Sequence, residues 1–180
     1  LLFIIFSPLI TMRLFSEEEK LGTLELLLTS PVKDWEIVMG KYLASTVILI
    51  STLLCTFFYV ILIFIYSTPD FGPLLSSYLG IILYGIATLS VGLFASSLSS
   101  NQIVSAVVGI VILLLLSFLD SLGAMLDGIP STIFNEIALN YHYADFTKGV
   151  IDIRNIVYYL STASIFLFFT VLILEMRRWR

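Results

Sequence analysis

The sequence predicts an all-α integral membrane protein, and three observations carry that reading. The first is composition: 59% of the 180 residues are hydrophobic and 12% charged, whereas an average soluble domain is about half apolar and about a quarter charged. A small domain has too little interior to bury that much apolar surface, but a bilayer accepts it. The second is a set of long uncharged runs. The third is an uneven distribution of Lys and Arg between the segments that separate those runs. Composition excludes a disordered chain and a soluble enzyme. Nine scattered basic residues form no footprint for nucleic acid. The lone Cys55 excludes an intrachain disulfide framework and a cysteine-rich metal site, and reads as a space-filling side chain.

A helix needs roughly 20 mostly apolar residues to cross the hydrocarbon. Residues 42–66 are uncharged between Lys41 and the Ser67-Thr68-Pro69-Asp70 turn. Residues 71–119 are also uncharged, too long for one span and broken by the polar cluster from Ser96 to Gln102. This run therefore predicts two spans, at 75–96 and 103–120. Residues 156–175 make a fourth, closed by Glu175, Arg177, Arg178 and Arg180. Residues 1–12 are apolar but too short to cross. With the first charge following the apolar stretch, they do not fit a signal peptide. They read as the second half of a span whose start lies upstream.

Short-loop Lys and Arg set the orientation. Arg13, Lys20, Lys33, Lys41, Arg177, Arg178 and Arg180 fall on one side, Lys148 and Arg154 on the other. That places the 13–41 loop, the 97–102 turn and the C-terminus in the cytoplasm, and 121–155 outside. Tyr42, Tyr66, Tyr158, Tyr159 and Trp179 stand near span ends, where amphipathic rings favour the headgroup level.

The 13–41 loop is the most informative stretch. Ser16 and Glu19 match a capping box, which predicts a helix starting after Ser16, with Glu17, Glu18 and Glu19 favoured by the dipole of its first turn. Leu21, Leu24 and Leu28, with Leu27 beside them, predict one apolar face. Ser30 and Pro31 suit the N-cap and first position of a second helix, which carries Trp35 and Ile37 into the span at Tyr42. Such a hairpin fits an interfacial helix lying in the headgroups or a docking element for a cytoplasmic partner.

Small residues at steps of four, Ser76, Gly80, Thr88, Gly92 and Ser96, with Ser105, Gly109 and Ser117 in the next span, predict close helix packing. Between 121 and 155, Gly128-Ile129-Pro130 signals a turn. Phe134, Ile137 and Tyr141, then Phe146, Val150 and Ile153, recur at helical spacing, so two short amphipathic helices are expected. His142 has no second ligand pattern near it and reads as packing between Tyr141 and Tyr143. Asp145, Lys148, Asp152 and Arg154 read as a solvated face with a Lys148–Asp152 pair four residues apart. No nucleophile–base pair or carboxylate dyad is present to argue catalysis. Gly-x-x-x-x-Gly-Lys-Ser/Thr is absent from the sequence, so nucleotide is not bound here in the P-loop manner. The spans lack the buried ionisable residues that ion-coupled carriers use.

The run from Glu18 to Val32 reads Glu-Glu-Lys-Leu-Gly-Thr-Leu-Glu-Leu-Leu-Leu-Thr-Ser-Pro-Val. It resembles the loop after the second span of ABC-2 type permeases. Trp35 to Val38 followed by Gly40-Lys41, the stretch Gly92 to Gln102 and the tail Leu174 to Arg180 fit the same family, and gliding-motility-associated ABC permeases are similar. The resemblance implies a parent with six spans, of which this chain holds the end of the second and all of the last four. It implies half of a dimeric pore in the plasma membrane, paired with a separate ATP-binding subunit that carries ATP and magnesium. Glu18, Glu19, Lys20, Gly22, Thr23, Glu25, Ser30 and Pro31 are the residues it assigns to that contact, through a coupling helix over 17–30. It also implies export, with the segment before the last span dipping into the membrane. A solute path would use polar positions such as Thr52, Thr56 and Thr88. The other class of function is a non-transporting membrane anchor or scaffold for an envelope machine.

Overall fold

The computed structural model describes residues 2–66, 70–125 and 128–178, together with all their side chains except that of Leu28. The turn at Ser67-Thr68-Pro69, Trp179 and Arg180 lie outside the described residues. The described residues form nine helices and no strand: α1 (Leu2–Thr11), α2 (Arg13–Lys20), α3 (Thr23–Thr29), α4 (Asp34–Tyr66), α5 (Phe71–Leu98), α6 (Gln102–Gly123), α7 (Ile129–Ile137), α8 (Leu139–Thr147) and α9 (Ile153–Arg178). Four of them, α4, α5, α6 and α9, are long and apolar enough to cross a membrane. Each extends beyond the span expected from the sequence at one end or both. A charge ends the part of a helix that hydrocarbon accepts, not the helix itself. α4 thus begins at Asp34, about two turns before the apolar run opens at Tyr42.

α5 is the hub. From Leu83 to Ser97 every residue except Ile86 and Phe94 is buried. Small residues all round make this possible, because each lets a neighbouring backbone approach. A Cβ on Gly80 would stand 2.7 Å from Cβ of Phe146 in α8, and one on Gly92 would stand 3.2 Å from Cα of Pro8 in α1. Gly109 of α6 faces Pro8 from the other side, at 3.0 Å from its Cβ. α1 therefore lies between α5 and α6 on the face made by Ile4, Ser7, Pro8 and Thr11. Ser76, Thr88, Ser96 and Ser105 are buried within the same chain. α4 stands apart, with Leu43, Val47, Leu54, Phe58 and Ile65 all more than half exposed.

Two apolar clusters divide the interior. One, toward the end that carries the 13–41 loop, joins Phe15, Leu24, Val38, Tyr42, Leu93 and Leu174. The other, toward the opposite end, joins Ile4, Tyr84, Leu113, Leu139, Phe146 and Tyr159. Tyr42 and Tyr159 are buried, with hydroxyls donating to Ile86 O at 3.1 Å and Leu139 O at 2.8 Å. That corrects their expected place among headgroups: a buried phenol needs an acceptor, and a tertiary neighbour supplies it.

At the opposite end the expected helical spacings do not hold. The chain breaks at Ala138 (ψ 126°), so Ile137 closes α7 and Tyr141 belongs to α8. Val150 lies in the turn and Ile153 opens α9. Lys148 and Asp152 are not on one helix and do not pair. Asp152 instead caps α9 by accepting from the Arg154 N–H at 2.9 Å. Asp145 accepts from Asn155 Nδ2 at 3.0 Å, and Arg154 pairs with Glu136.

Candidate functional site: the 13–41 loop

The loop is not one helix over 17–30. Ser16 lies inside α2, fully buried, with its hydroxyl donating to Met12 O one turn back. The capping box therefore does not form. The chain continues helically from Met12, whose N–H is already taken by Pro8 O at 2.7 Å, and no free helix start is left for Ser16 to cap.

Gly22 separates α2 from α3 with φ +71°. It is not a weak point inside a helix, because it lies between two, and no atom of this chain lies within 4 Å of its Cβ direction. Its role is the left-handed turn, which glycine adopts without steric cost. The break turns Leu21 away from the face that Leu24 occupies. Leu24 is buried and Leu27 packs on the same cluster, but Leu21 is 68% exposed and Leu26 73% exposed.

Ser30 ends α3 and its hydroxyl donates to Leu27 O at 2.6 Å. Pro31 lies in a bend closed by the Val32 N–H donating to Ser30 O at 2.8 Å, with α4 starting three residues later. Ser30 therefore does not cap a following helix and Pro31 is not its first residue. The side chain of Glu36 instead receives the Lys33 N–H at 3.2 Å.

Glu18 and Glu19 turn inward. Glu18 pairs with Lys41 of α4 at 2.5 Å, and the same ammonium donates to Leu14 O and stands 4.9 Å from the Phe15 ring centroid. Glu19 pairs with Arg177 of α9 at 2.5 Å. Arg177 also donates to Ser97 O at 2.8 Å, and Arg178 reaches Asp34 at the start of α4 at 3.2 Å. Ser96 completes the arrangement. Its hydroxyl donates to Met12 O at 2.9 Å and receives the N–H groups of Phe15 and Ser16 at 3.1 and 3.3 Å. α2 is thereby fastened to α4, α5 and α9.

Of the residues assigned to a partner, Lys20, Gly22, Thr23, Glu25 and Pro31 are exposed, and the first four cluster at the α2–α3 turn. Leu21 and Leu26 stand beside them. The roles of Lys41, Ser96, Arg177 and Arg178 escaped the sequence reading. The available signal was three basic residues at span ends against a run of three glutamates.

Elsewhere, Thr52 and Thr56 line an apolar cleft of about 440 Å³ between α1 and α4 that has no charged side chain in its wall. Thr88 is fully buried and bonded to Gly85 O at 3.0 Å, so within this chain it opens onto no cleft. His142 is buried edge-on against Tyr158, ring centroids 3.9 Å apart, with Nδ1 unpaired among the described residues. Burial pulls its proton affinity below the ordinary histidine value. No group of three metal-ligating side chains occurs among the described residues.

Four apolar helices long enough to cross a bilayer, joined by a polar helical loop pinned to the ends of three of them, define a multi-pass membrane protein. A family model described as ABC-2 family transporter protein matches residues 1–175, and the chain belongs to that family of membrane transport permeases. Over 138 residues it is 30% identical to the probable multidrug ABC transporter permease YbhR of Escherichia coli strain K12, covering 75% of this chain and 37% of that protein. The same figures hold for the protein of that description from Escherichia coli O157:H7. The chain thus spans 37% of the length of these relatives. No solved structure matches.

Proposed function

We propose that the chain forms part of the membrane subunit of an ATP-driven exporter in the plasma membrane. The parent has six spans and pairs with a second permease subunit to enclose the path. A separate subunit binds ATP and magnesium and docks on the 13–41 loop from the cytoplasm. The observation that carries this reading is the loop itself: α2 is fastened to α4, α5 and α9, while Lys20, Leu21, Gly22, Thr23, Glu25 and Leu26 stand exposed at its tip. A stiff element held at its base and free at its tip can receive a push and pass it to the spans. The exposed leucines beside charged neighbours suit a helix-in-groove contact. Basic residues flanking the loop support its cytoplasmic side. The relatives are described as multidrug permeases, and the uncharged α1–α4 cleft with Thr52 and Thr56 suits a lipophilic cargo.

The test is co-purification of the full-length parent with its candidate ATPase in mild detergent, native against Gly22→Trp with Leu26→Arg. Binding by the native protein and loss with the variant support the docking site. Equal binding by both removes it. Binding without ATP-dependent movement of a lipophilic dye in proteoliposomes favours the scaffold.

A further inference from the structure

We infer that α9 is a connecting rod between the 13–41 loop and the helices at the opposite end, with Arg177 as the positioning residue that engages it. The observation is where α9 makes directional bonds. At its loop end, Arg177 holds Glu19 of α2 and Ser97 O of α5, and Arg178 holds Asp34 of α4. At its other end, Arg154 holds Glu136 of α7, Tyr158 donates to Ile137 O, Tyr159 donates to Leu139 O, and Asn155 donates to Asp145 of α8.

Between these ends, every side-chain hydrogen bond recorded for α9 returns to α9 itself. Ser161 and Thr162 donate to Tyr158 O, Ser164 to Leu160 O and Thr170 to Phe166 O. The middle of the helix meets α5 through apolar contact, with Ala163, Thr170 and Leu174 on its buried stripe. Apolar contact is non-directional. A small slide or roll trades one such contact for another, whereas it breaks an ion pair outright. A 26-residue helix held at both ends and greased between them transmits displacement over about 39 Å.

The other long helices are built differently. α5 is almost wholly buried from Leu83 to Ser97 and cannot shift without repacking the core. α4 is engaged at the loop end by Lys41 and Asp34, but its far end at Tyr66 is 85% exposed. α5 is tied by side chains to both ends as well, through Ser96 to α2 and through Ser76 and Tyr84 to α8, but its buried middle locks it in place; α9 is tied at both ends and yet lies mostly outside the core.

The link does not depend on the function proposed above; its use by ATP does. The test is amide hydrogen exchange on the full-length protein in nanodiscs, comparing native, Arg177→Glu and the charge-swapped Glu19→Arg with Arg177→Glu. Arg177→Gln, a milder change, serves if the reversal fails to fold. The expected result is exchange at residues 139–147 at least threefold faster in the single variant and restored within twofold by the swap. Acceleration confined to 13–41, equal acceleration throughout α6 as well, or no rescue by the swap overturns the link. A second arm adds the ATPase and ATP. Arg177→Glu should keep the ATPase bound while losing the ATP-dependent exchange change at 139–147; retention of that change also overturns the link. If the native protein binds no ATPase, the docking proposal fails and the first arm still decides the rod.

Discussion

Gly80 of α5 faces Phe146 of α8 so closely that an added Cβ would lie 2.7 Å from the Cβ of that phenylalanine. Ser76, one turn earlier, donates to the Phe146 carbonyl at 2.7 Å. One small residue and one hydroxyl at a four-residue step thus seat α8 against the hub helix. Phe146 itself is fully buried between α5 and Tyr159.

Gly80→Leu should therefore unseat α8. Overpacking of a filled site costs about 1–3 kcal/mol, and the expected outcome is a lower unfolding temperature in detergent with faster proteolysis between 129 and 152. Gly40→Ala is the control. It lies in α4 with nothing within 4 Å of its Cβ position and should gain up to ~1 kcal/mol of helix propensity.

Gly22 predicts a conformational rather than a steric effect. At φ +71° any L side chain is strained, though the space is open. Gly22→Ala should cost about 1 kcal/mol locally, and Gly22→Asn less, because Asn tolerates the left-handed region. Protease cleavage between Lys20 and Lys33 reads this directly. Equal cleavage of native and Ala proteins would show that the turn is not held as described.

Lys41→Met removes one cation that serves Glu18, Leu14 O and the Phe15 ring together. The pair is partly exposed, with Lys41 at 16% and Glu18 at 34% side-chain accessibility, so screening limits its worth to about 1 kcal/mol. The variant should loosen α2 in hydrogen exchange, and high salt should narrow the difference between native and variant.

His142 predicts a pH dependence. Burial disfavours its charged form, so its folded pKa lies below the ordinary 6.5. Below that value the unfolded chain binds the proton more readily, and stability falls as pH drops through and beneath it. Above it the contribution is flat. Unfolding temperature measured from pH 8 to pH 5 should decline in the native protein more steeply than in His142→Phe. Parallel curves would remove the histidine from the account.

The helical class, the four spans and the family were legible in the residues because each is a property of local runs. An uncharged stretch between Lys41 and Asp70 dictates a helix long and apolar enough to cross a membrane whatever its neighbours do. The run from Glu18 to Val32 carried the family in its residue order alone. The capping box at Ser16 failed for a complementary reason. A cap forms only where a helix begins, and the beginning at this place belongs to Met12 and to Ser96 from another helix.

Burial in hydrocarbon and residue order depend on the chain alone, and they were enough for spans, loop and class. The destination of a charge depends on what folds against it. Glu18, Glu19 and Lys20 are consecutive residues, yet the first meets Lys41, the second meets Arg177 and the third faces outward. Arg177 comes 158 positions after Glu19 in the chain and 2.5 Å from it in space. Helix packing around α5 brings those two groups together: Gly80, Gly85 and Gly92 let α8, α4 and α1 approach that helix closely, and α9 lies along it.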